Sequence, residues 1–418
     1  MKASKVKYPD QADQGRLNVE LAERNMGALM QVRKRFAKER PFHGLTIGMA
    51  LHVTKETAVL VRTLRDGGAR VVITGCNPLS TQDDVAAALA QEEGVEVFAH
   101  RGESKDEYYA FLRDVVMSKP DITIDDGCDL VTEIHQNSPE LLESIIGGCE
   151  ETTTGVLRLR AMVKAGMLKY PVVAVNDNKT KHLMDNYYGT GQSTLDGLLR
   201  AANLLFAGKT LVVIGYGSCG KGVALRGRGM GANVIVAEVD AFCALQARMD
   251  GFRVMPLSEA VKEGDIYVTV TGNVHVIDWQ HILAMKDGAV LANSGHFDNE
   301  INMKALEEHS DSKRRVRPCL DEYTVHGKNI FVAGEGRLVN LAAAEGHPSE
   351  VMSLSFCGQA LACEYLVKNR GKLAAGVVTL PEQVDDEISQ LQLKAMGLKI
   401  DCLTDEQRKY LTSWEHGT

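Results

Sequence analysis

A run of glycines that follows an apolar segment limits the possible folds of this chain more than any other part of it. Gly215-Tyr-Gly-Ser-Cys-Gly220 comes directly after Leu211-Val-Val-Ile214, and a helix-compatible stretch continues to about Gly229. A second apolar segment, residues 234–238, then ends on the carboxylate of Glu238. A strand, a tight glycine turn, a helix and a second strand with a terminal acid are typical of the dinucleotide-binding unit of a Rossmann domain.

Each part of this motif has a physical task. Gly215 permits the tight turn, Gly217 lets the backbone approach a pyrophosphate, and Gly220 lets the helix pack on the strand. The helix N-terminus supplies free N–H groups and a partial positive charge for the phosphates. Glu238 would accept hydrogen bonds from ribose hydroxyls and repel a 2′-phosphate. Residues 209–240 therefore predict an NAD site, and the alternative is a glycine turn in an unrelated α/β fold.

Length and charge limit the classes of protein to which the chain can belong. At 418 residues it exceeds the usual size of a single hydrophobic core, so we expect two domains. The net charge of -8 argues against a nucleic-acid partner, because such partners select basic surfaces. The sequence has no run of about 18 apolar residues, so no membrane span is predicted.

The cysteines and the N-terminal segment indicate the cellular compartment in which the protein is expected. The nine cysteines are scattered, without a C-x-x-C pair, which favours reduced thiols over a disulfide framework or a zinc site. We therefore predict no metal. The N-terminal segment has neither an apolar core nor a cleavage site, so no secretory signal is expected. The chain is predicted to be cytoplasmic.

Short apolar segments alternate with helical ones along the chain. Strands are predicted over residues 45–51, 69–75, 95–100 and 121–125, and then over 210–214, 234–238, 266–270, 289–292 and 329–332. Helices are predicted over 54–65, 81–91, 105–118, 194–206 and from the glycine turn to Gly229. This alternation predicts parallel sheets that are covered on both faces. The expected fold class is α/β, with two doubly wound parallel-sheet domains, one a Rossmann NAD-binding domain, and a C-terminal helical segment.

The same pattern predicts the domain boundaries. Residues 349–368 are helical and are expected to pack back on the first domain, and residues 405–411 are expected to form a further helix. The expected division is a substrate-binding domain over 1–189 and 349–395, an NAD-binding domain over 190–348, and a C-terminal segment over 396–418.

Polar side chains gather in the segment between the two domains. Lys181 and Asp185 are four residues apart and would share one face of a helix, and Asn186 follows directly. A solvated ion pair would have the same spacing. The position of the segment, where a substrate would meet the nicotinamide, favours a functional role.

Eight separated segments carry a family resemblance. They are Leu51-His-Val-Thr-Lys-Glu-Thr-Ala58, Cys76-Asn-Pro-Leu-Ser-Thr-Gln-Asp83, Asp125-Asp-Gly127, Glu150-Glu-Thr-Thr-Thr-Gly155, residues 176–186, residues 215–222, Asn293-Ser-Gly-His-Phe-Asp298, and Gly336-Arg-Leu-Val-Asn340 through Gly346-His-Pro-Ser349. In this order the chain resembles the S-adenosyl-L-homocysteine hydrolase family along nearly its whole length.

The resemblance implies that a thioether is hydrolysed by way of a temporary oxidation of the substrate. In this family, bound NAD⁺ oxidises the ribose 3′-hydroxyl to a ketone, which makes the C4′ proton acidic. Homocysteine thiolate is then eliminated, water adds to the enone, and the hydride is returned. The implied activity is the reversible hydrolysis of S-adenosyl-L-homocysteine to adenosine and L-homocysteine with tightly bound NAD.

The resemblance assigns the redox step to the segment between the domains. Lys181 with Asp185 would take the 3′-hydroxyl proton, with the pKa of the lysine lowered toward neutrality by burial and a nearby positive charge. Glu151 would hold substrate hydroxyls.

Three further residues are implied at the reacting sugar. Asp126 and His52 would handle the C4′ proton and the leaving or attacking group at C5′, and His296 would line the sugar. The alternative for His52 is a core histidine at a strand end, and the alternative for Asp126 is a helix cap.

The implied cofactor contacts are spread over both predicted domains. Three consecutive threonines would contact NAD through their hydroxyls, and two asparagines would help to hold it. The full implied set is Thr152, Thr153, Thr154, Asn186, Gly215, Gly217, Ser218, Cys219, Gly220, Glu238, Cys243, Asn293, Ser294, Gly295, His296, Asn340 and His347.

Recognition of the base is assigned by resemblance to Thr54, Glu56 and His347. Glu56 can accept a hydrogen bond from the exocyclic amine of adenine, although a carboxylate in a first helical turn also favours the helix dipole. Some archaeal relatives act on S-inosyl-L-homocysteine, whose base has a carbonyl acceptor instead, and a buried site built for one base rejects the other. Glu56 favours adenine, whereas Glu345 nearby keeps the inosyl substrate as the alternative.

The sequence departs from the family pattern at three places. Thr190 replaces a cysteine found in many members, and Cys243 replaces an asparagine at the adenosine ribose. The end of the chain, Tyr410-Leu-Thr-Ser-Trp-Glu-His-Gly-Thr418, lacks the lysine- and tyrosine-bearing tail that reaches the NAD of a neighbouring protomer in many members. It resembles the shorter form of archaea and some thermophilic bacteria. A homotetramer is the family expectation, and sharing of cofactor contacts between protomers stays open.

Two other classes of protein share the glycine motif. An ordinary NAD-dependent dehydrogenase would have no need of Lys181, Asp126 and His296 together. A catalytically silent regulatory relative would have lost catalytic positions or gained long polar extensions, and the sequence does neither.

Overall fold

The computed structural model describes residues 4–414, which form two β-sheets flanked by helices. The strands, in chain order, are β1 (Thr46–Ala50), β2 (Arg70–Thr74), β3 (Val95–Phe98), β4 (Ile122–Asp125), β5 (Gly147–Glu150), β6 (Pro171–Ala174), β7 (Thr210–Ile214), β8 (Asn233–Ala237), β9 (Arg253–Val254), β10 (Ile266–Thr269), β11 (Ala289–Asn293), β12 (Ser312–Arg317), β13 (Leu320–Val325), β14 (Lys328–Ala333) and β15 (Gly376–Val378). Parts of the predicted terminal segments that fall on residues 1–3 and 415–418 lie outside the described residues.

Helices connect and cover these strands. In chain order they are α1 (Ala12–Asn25), α2 (Gly27–Glu39), α3 (Lys55–Asp66), α4 (Asp83–Leu89), α5 (Lys105–Met117), α6 (Asp129–Asn137), α7 (Thr153–Lys164), α8 (Thr190–Ala202), α9 (Ser218–Gly229), α10 (Ala241–Met249), α11 (Leu257–Ala260), α12 (Trp279–Ala284), α13 (Met303–His309), α14 (Val339–Ala342), α15 (Ser349–Lys368), α16 (Glu382–Ala395) and α17 (Asp405–Thr412). A π-helix, Lys181–Gly189, leads directly into α8.

The first sheet is parallel throughout, in the order β15-β6-β5-β4-β1-β2-β3. Its strands are apolar on both faces: Val71 and Ile73 pack into one core cluster, and Val72 between them packs into another. Continuous apolar strands of this kind are typical of parallel sheets covered by helices on both sides. The predicted α/β class is therefore confirmed for this sheet.

The second sheet has the order β12-β13-β14-β11-β10-β7-β8-β9. Its β9-to-β14 portion is parallel, whereas β12, β13 and β14 form antiparallel hairpins at one edge. Strands β12 and β13 were not among the predicted strands. Strand β12 is exposed and basic, and Arg314 and Arg315 pair with Glu322 and Asp321 across the hairpin. An apolar pattern therefore could not reveal it.

Several local predictions are confirmed. Helix α15 has the predicted bounds, and its apolar residues Phe356, Cys357 and Ala360 join the core of the first sheet. Strand β15, which was not among the predicted strands, adds to that sheet beside β6. The predicted C-terminal helix is α17, which buries none of its residues.

Chain order places the functional loops. In a doubly wound sheet a crevice opens where neighbouring strands connect to opposite sides. The first sheet reverses between β1 and β4, whose carboxyl ends are followed by His52 and Asp126. The second reverses between β7 and β10, whose ends are followed by Gly215 and by the loop at Thr271. Among residues 4–414, none of the helices is both long enough and apolar enough to cross a bilayer.

Candidate active site

A cavity of about 1000 Å³ lies between the carboxyl ends of the two sheets. His52 and Asp126 line it from the first sheet, Gly217 and His296 from the second, and Lys181 from the π-helix. Ligand pockets are usually about 300–1,000 Å³ in volume. The cavity is therefore large enough to hold two ligands side by side.

Lys181 lies in a buried group of carboxylates and amides. Its Nζ is 2.6 Å from Asp185 Oδ2 and 3.5 Å from Glu151 Oε1, and it donates to Asn186 Oδ1 at 2.8 Å. Asp185 also pairs with His347 Nδ1. The solvated ion pair considered from the sequence is thereby excluded, since Lys181 and Asp185 are both buried.

The charges in this group set its protonation. Burial alone would lower the pKa of Lys181, but the negative charges of Asp185 and Glu151 outweigh it and hold that pKa above its ordinary value. The lowering expected from the sequence requires the positive charge of a bound nicotinamide, and the protein's own charges act in the opposite direction. Burial would raise the pKa of Asp185, yet His347 and Lys181 hold it well below its usual range. Lys181 and Asp185 thus form an ionised pair.

A second group brings together His52, Asp126 and His296. His52 Nε2 is 3.4 Å from Asp126 Oδ2, and His296 Nδ1 is 3.4 Å from Asp126 Oδ1. The other ring nitrogen of His52 lies 2.7 Å from Ser80 Oγ and 3.3 Å from Cys76 Sγ. Burial lowers the pKa of His52 to about 4 despite the charge of Asp126, so the ring is neutral near pH 7.

Asp126 and the two histidines are also of the residue types that bind metals. Their ligand atoms lie within 4.8 Å of one another, a spacing that could hold a divalent ion. The alternative of a helix cap for Asp126 is not what the structure shows, because the residue lies in the loop before α6 and faces the cavity.

Glu151 is held by residues of α15. Ser355 Oγ donates to one carboxylate oxygen and Gln359 Nε2 donates to the other. Burial raises the pKa of Glu151, and Lys181 opposes that rise. Both donors keep the carboxylate in one orientation beside Lys181.

The glycine turn has the geometry that its sequence predicted. Gly215 has a φ of 102°, and a Cβ added to Gly220 would lie 2.0 Å from the carbonyl oxygen of Gly215. A Cβ on Gly217 would meet no atom within 4 Å, so this residue faces open space in the cavity. Glu238 Oε2 accepts the backbone N–H of Tyr216 at 2.6 Å and ties the acid to the turn.

Two buried polar atoms on the cavity wall have no hydrogen-bond partner among residues 4–414. They are Thr154 Oγ1 and Asn340 Oδ1. Buried polar atoms are nearly always paired, so unpaired ones that line a cavity indicate the place of a polar ligand. Both residues are in the cofactor set predicted from the sequence, and the residues present therefore fit a dinucleotide.

Thr54, Glu56 and His347, the residues predicted to recognise the base, all line the cavity. Glu56 is 2% exposed, and its Oε1 accepts from Ser349 Oγ at 2.6 Å. Thr54 caps α3, and its Oγ1 accepts the backbone N–H of Thr57 at 3.4 Å. Glu345, in contrast, is engaged by Lys55 Nζ at 2.9 Å and by a surface arginine. Glu56 is therefore the buried carboxylate of the two.

Comparison with known proteins decides the family. Residues 3–142 match the model described as S-adenosyl-L-homocysteine hydrolase, and residues 186–346 match its NAD binding domain. The chain is 58% identical over 405 residues to the S-inosyl-L-homocysteine hydrolase of Methanocaldococcus jannaschii, covering 97% of each chain. It is 56% identical over 414 residues to the adenosylhomocysteinase of Aquifex aeolicus, covering 99% of each chain. The chain belongs to the S-adenosyl-L-homocysteine hydrolase family.

Membership in the S-adenosyl-L-homocysteine hydrolase family also establishes the cofactor. The segment that matches the family's NAD binding domain contains the glycine turn, Glu238, His296 and Asn340, and NAD is the cofactor that the motif predicted. At the level of fold alone, a dipicolinate synthase component from Bacillus halodurans is similar, with a TM-score of 0.51 at 12% identity over 78% of this chain and 99% of its own.

The cavity brings together the residues that the S-adenosyl-L-homocysteine hydrolase resemblance singled out. All of the predicted catalytic and substrate-contacting residues line it, as do most of the predicted cofactor contacts. The lining residues from the predicted set are His52, Thr54, Glu56, Asp126, Glu151, Thr152, Thr153, Thr154, Lys181, Asp185, Asn186, Gly215, Gly217, Ser218, Cys219, Glu238, Ser294, Gly295, His296, Asn340 and His347.

Three predicted cofactor residues do not line the cavity. Gly220 acts through packing, as described above. Asn293 is buried and donates to the carbonyl oxygens of Gly295, Phe297 and Gly336 at 2.8–3.1 Å, so it shapes the loop that carries His296. Cys243 packs against the core of the second sheet. The departure at Cys243 is therefore not part of the cavity lining.

Sequence reasoning missed several residues that support the site. Ser355 and Gln359 are four residues apart on a mostly buried helix, and polar residues at this spacing on a buried face were the signal that could have found them. Cys76 and Ser80 lie in a matching segment but were given no role. His182, next to Lys181, was likewise not considered.

Proposed function

We propose that this protein catalyses the reversible hydrolysis of S-adenosyl-L-homocysteine to adenosine and L-homocysteine and keeps NAD bound throughout the cycle. The observation that carries the proposal is the opening of two polar groups, around Lys181 and around Asp126, into the same cavity as the glycine turn. A simple dehydrogenase needs one acid or base beside its nicotinamide. Two separate groups favour a reaction with proton transfers at more than one carbon.

The reaction requires a redox step because homocysteine thiolate is a poor leaving group from the unactivated C5′ carbon of the thioether. Oxidation of the ribose 3′-hydroxyl to a ketone makes the neighbouring C4′ proton acidic, and thiolate can then leave from C5′. The glycine turn, Thr154 and Asn340 would hold NAD, which would supply the hydride acceptor for oxidation at C3′ and the hydride donor for its reversal. The remaining proton transfers fall to the protein.

We assign the 3′-hydroxyl proton to Lys181. In the free protein Lys181 is paired with Asp185, and a positively charged nicotinamide bound beside it would lower its pKa toward the range in which it can act as a base. Asp185 then holds the ammonium form after the proton has moved. Glu151, held by α15, is suited to bind the ribose hydroxyls.

We assign the chemistry at C4′ and C5′ to the group of His52, Asp126 and His296. The neutral ring of His52 can accept a proton, and Asp126 can stabilise the imidazolium that results. The imidazolium can then give the same proton to the departing thiolate. The water that adds at C5′ is activated in the same place.

We propose adenine as the base. Glu56 is a buried carboxylate whose Oε1 is occupied by Ser349, which leaves Oε2 to accept from an exocyclic amine. Hypoxanthine would present a carbonyl oxygen to that acceptor, and the unpaired polar groups would be costly. S-inosyl-L-homocysteine is the second candidate, because the relative from M. jannaschii carries that activity in its name.

The proposal is tested by offering the purified protein each thioether separately and measuring free homocysteine thiol. Release from the adenosyl form supports both the reaction and the base. Release from the inosyl form alone would overturn the assignment of Glu56 to adenine. No release from either would overturn the hydrolase itself, and steady accumulation of reduced nicotinamide in solution would indicate a dehydrogenase.

We further propose the division into a substrate-binding domain (1–189 and 349–395), an NAD-binding domain (190–348) and a C-terminal segment (396–418).

A homotetramer is supported by exposed apolar side chains on the C-terminal segment, such as Ile400, Leu411 and Trp414, which a monomer would leave in water. Light scattering on the purified protein measures its molar mass and thereby tests the tetramer. A cytoplasmic location is supported by the nine unpaired cysteines.

A further inference from the structure

His182 lies where the π-helix meets the glycine turn. Its ring lines the cavity and is half-buried. One ring nitrogen, Nδ1, is 3.4 Å from Asn186 Nδ2, and the other, Nε2, is 3.1 Å from Ser218 Oγ. The residue therefore joins the helix that carries Lys181 to the first residue of α9.

The direction of these hydrogen bonds follows from Lys181. An ammonium group can only donate, so the atom of Asn186 that lies 2.8 Å from Lys181 Nζ is the carbonyl oxygen. The amide nitrogen of Asn186 then faces His182 and donates to Nδ1, and it also lies 3.2 Å from Asn176 Oδ1. Since Nδ1 accepts, the proton of the neutral ring is on Nε2.

This tautomer determines what Ser218 can do. Nε2–H donates to Ser218 Oγ, which leaves the hydroxyl hydrogen of Ser218 free to point into the cavity. Ser218 is the first residue of α9, where the free N–H groups of the helix receive a pyrophosphate. Lys221 on the same turn is directed elsewhere, because its Nζ donates to Gln246 Oε1 at 2.8 Å.

The charges around His182 keep its ring in the neutral form that these bonds require. Burial lowers its pKa, and Lys181 lowers that pKa further. Asp177 acts in the opposite direction, and Lys221 adds to the lowering. The acceptor nitrogen therefore stays available to Asn186 at neutral pH.

We propose that His182 is a positioning residue for the NAD pyrophosphate, which orients the Ser218 hydroxyl toward the cofactor and links it through Asn186 to Lys181. The inference rests on the NAD-dependent function proposed above. It extends the cofactor site from the second sheet to the π-helix. The Ser218 hydroxyl, which would bind the pyrophosphate, and Lys181, which would act on the ribose, are then parts of one hydrogen-bonded chain.

The test is the rate at which the holoenzyme loses NAD after dilution, followed as bound nucleotide after gel filtration. His182→Ala is expected to release NAD about tenfold faster, because a hydrogen bond to an ionised phosphate is misaligned. His182→Gln, whose amide nitrogen reaches the place of Nε2, is expected to restore most of the retention, whereas His182→Asn is not. Leu183→Ala, exposed on the same helix, is the matched control and is expected to release NAD at the wild-type rate.

The combination with Ser218→Ala distinguishes positioning from a general loosening of the helix. If His182 acts through Ser218, the double variant releases NAD no faster than Ser218→Ala alone. Multiplying effects, or wild-type release from His182→Ala, would overturn the inference. Either result would leave the proposed function standing, since that is judged by homocysteine release from the wild-type enzyme.

Discussion

The groups around Lys181 and around Asp126 share one cavity but are held in different ways. Lys181, Asp185 and Asn186 belong to a single π-helix, and Lys181 pairs with Asp185 at 2.6 Å. The histidines meet Asp126 at 3.4 Å, and the three residues come from loops of both sheets. The Lys181, Asp185 and Asn186 part of the first group is therefore built by local structure, whereas the second group depends on how the two sheets lie against each other.

The two groups also differ in charge. Lys181 and Asp185 are an ionised pair, stabilised by each other, whereas burial keeps His52 neutral. The lysine of the ionised pair must first lose its proton, which a cationic nicotinamide bound beside it would favour, before it can take a proton from a hydroxyl. A neutral imidazole beside a carboxylate suits a proton that must be taken and given back within one cycle.

The largest expected effect is at Lys181. Lys181→Ala should reduce turnover by about 10³- to 10⁴-fold, because the base for the 3′-hydroxyl is lost. NAD should remain bound, and substrate should no longer reduce it, as judged by nicotinamide absorbance. Lys179→Ala, an exposed lysine paired with Glu382, is the control and should behave as wild type. Undiminished turnover in Lys181→Ala would remove that residue from the mechanism.

Asp126→Asn should have the next largest effect, and it should leave the bound nicotinamide reduced where Lys181→Ala leaves it oxidised. Loss of the carboxylate between His52 and His296 should lower homocysteine release by about 10²- to 10³-fold, since proton transfer at C4′ is impaired. Oxidation at C3′ does not need this group. Reduced nicotinamide should therefore accumulate on the enzyme after substrate is added. If the cofactor stays oxidised, the separation of the two groups by chemical step is wrong.

The neutral state of His52 predicts a pH-dependent stability. Its pKa is about 4 in the folded chain, against an ordinary value of 6.5. Above pH 6.5 the ring is neutral in both folded and unfolded chains, so it causes no pH dependence there. As pH falls toward 4 only the unfolded chain gains the proton, and the free energy of unfolding decreases by about 3 kcal/mol.

His52→Gln should remove that contribution. Urea unfolding of both proteins near neutrality and in mild acid measures it, because other titrating groups contribute equally to the two proteins. Equal losses of stability on acidification would show that His52 is not held neutral by the fold.

The close approach of the two sheets predicts a smaller effect at Gly127. Its φ is 109°, and an added Cβ would lie 2.4 Å from His296 Nε2. Gly127→Ala should therefore displace His296 and lower homocysteine release by about 10- to 100-fold. Gly102→Ala, with a φ of 80° and no atom within 4 Å of the added Cβ, is the matched control and should cost stability without this loss of turnover.

Much of the fold could be predicted because apolar strands and helices have a local pattern. The strands at the centre of both sheets, β1, β4, β7 and β10, follow predicted segments within about two residues. Strand β12 could not be predicted, since its arginines pair with acids on β13, and that pairing exists only after the hairpin has formed. The turn between β13 and β14, at His326 and Gly327, has two positive φ values that a histidine–glycine pair indicates only weakly.

The site was predictable in membership but less so in detail. The glycine motif and the family resemblance named the polar residues on which the proposed mechanism rests, including Lys181 and His52, but fewer than half of the residues that line the cavity. The raised pKa of Lys181 in the protein alone could not be predicted, because it depends in part on Glu151, which follows a different strand and is itself held by α15. Asn293 and Cys243 carry no mark in the sequence that distinguishes a side chain facing the cavity from one facing the core.

Periodicity and motif spacing are local properties of a chain, and they were enough to predict the two doubly wound sheets and the glycine turn. The reacting residues were assigned by the family resemblance of short sequence segments. Folding was needed to establish that His52, Asp126 and His296 meet, that Glu56 rather than Glu345 is the buried carboxylate, and that His182 reaches Ser218. These outcomes depend on contacts between residues far apart in the chain. The pairing, burial and charge of a side chain are set by neighbours that only the folded sheets bring to it.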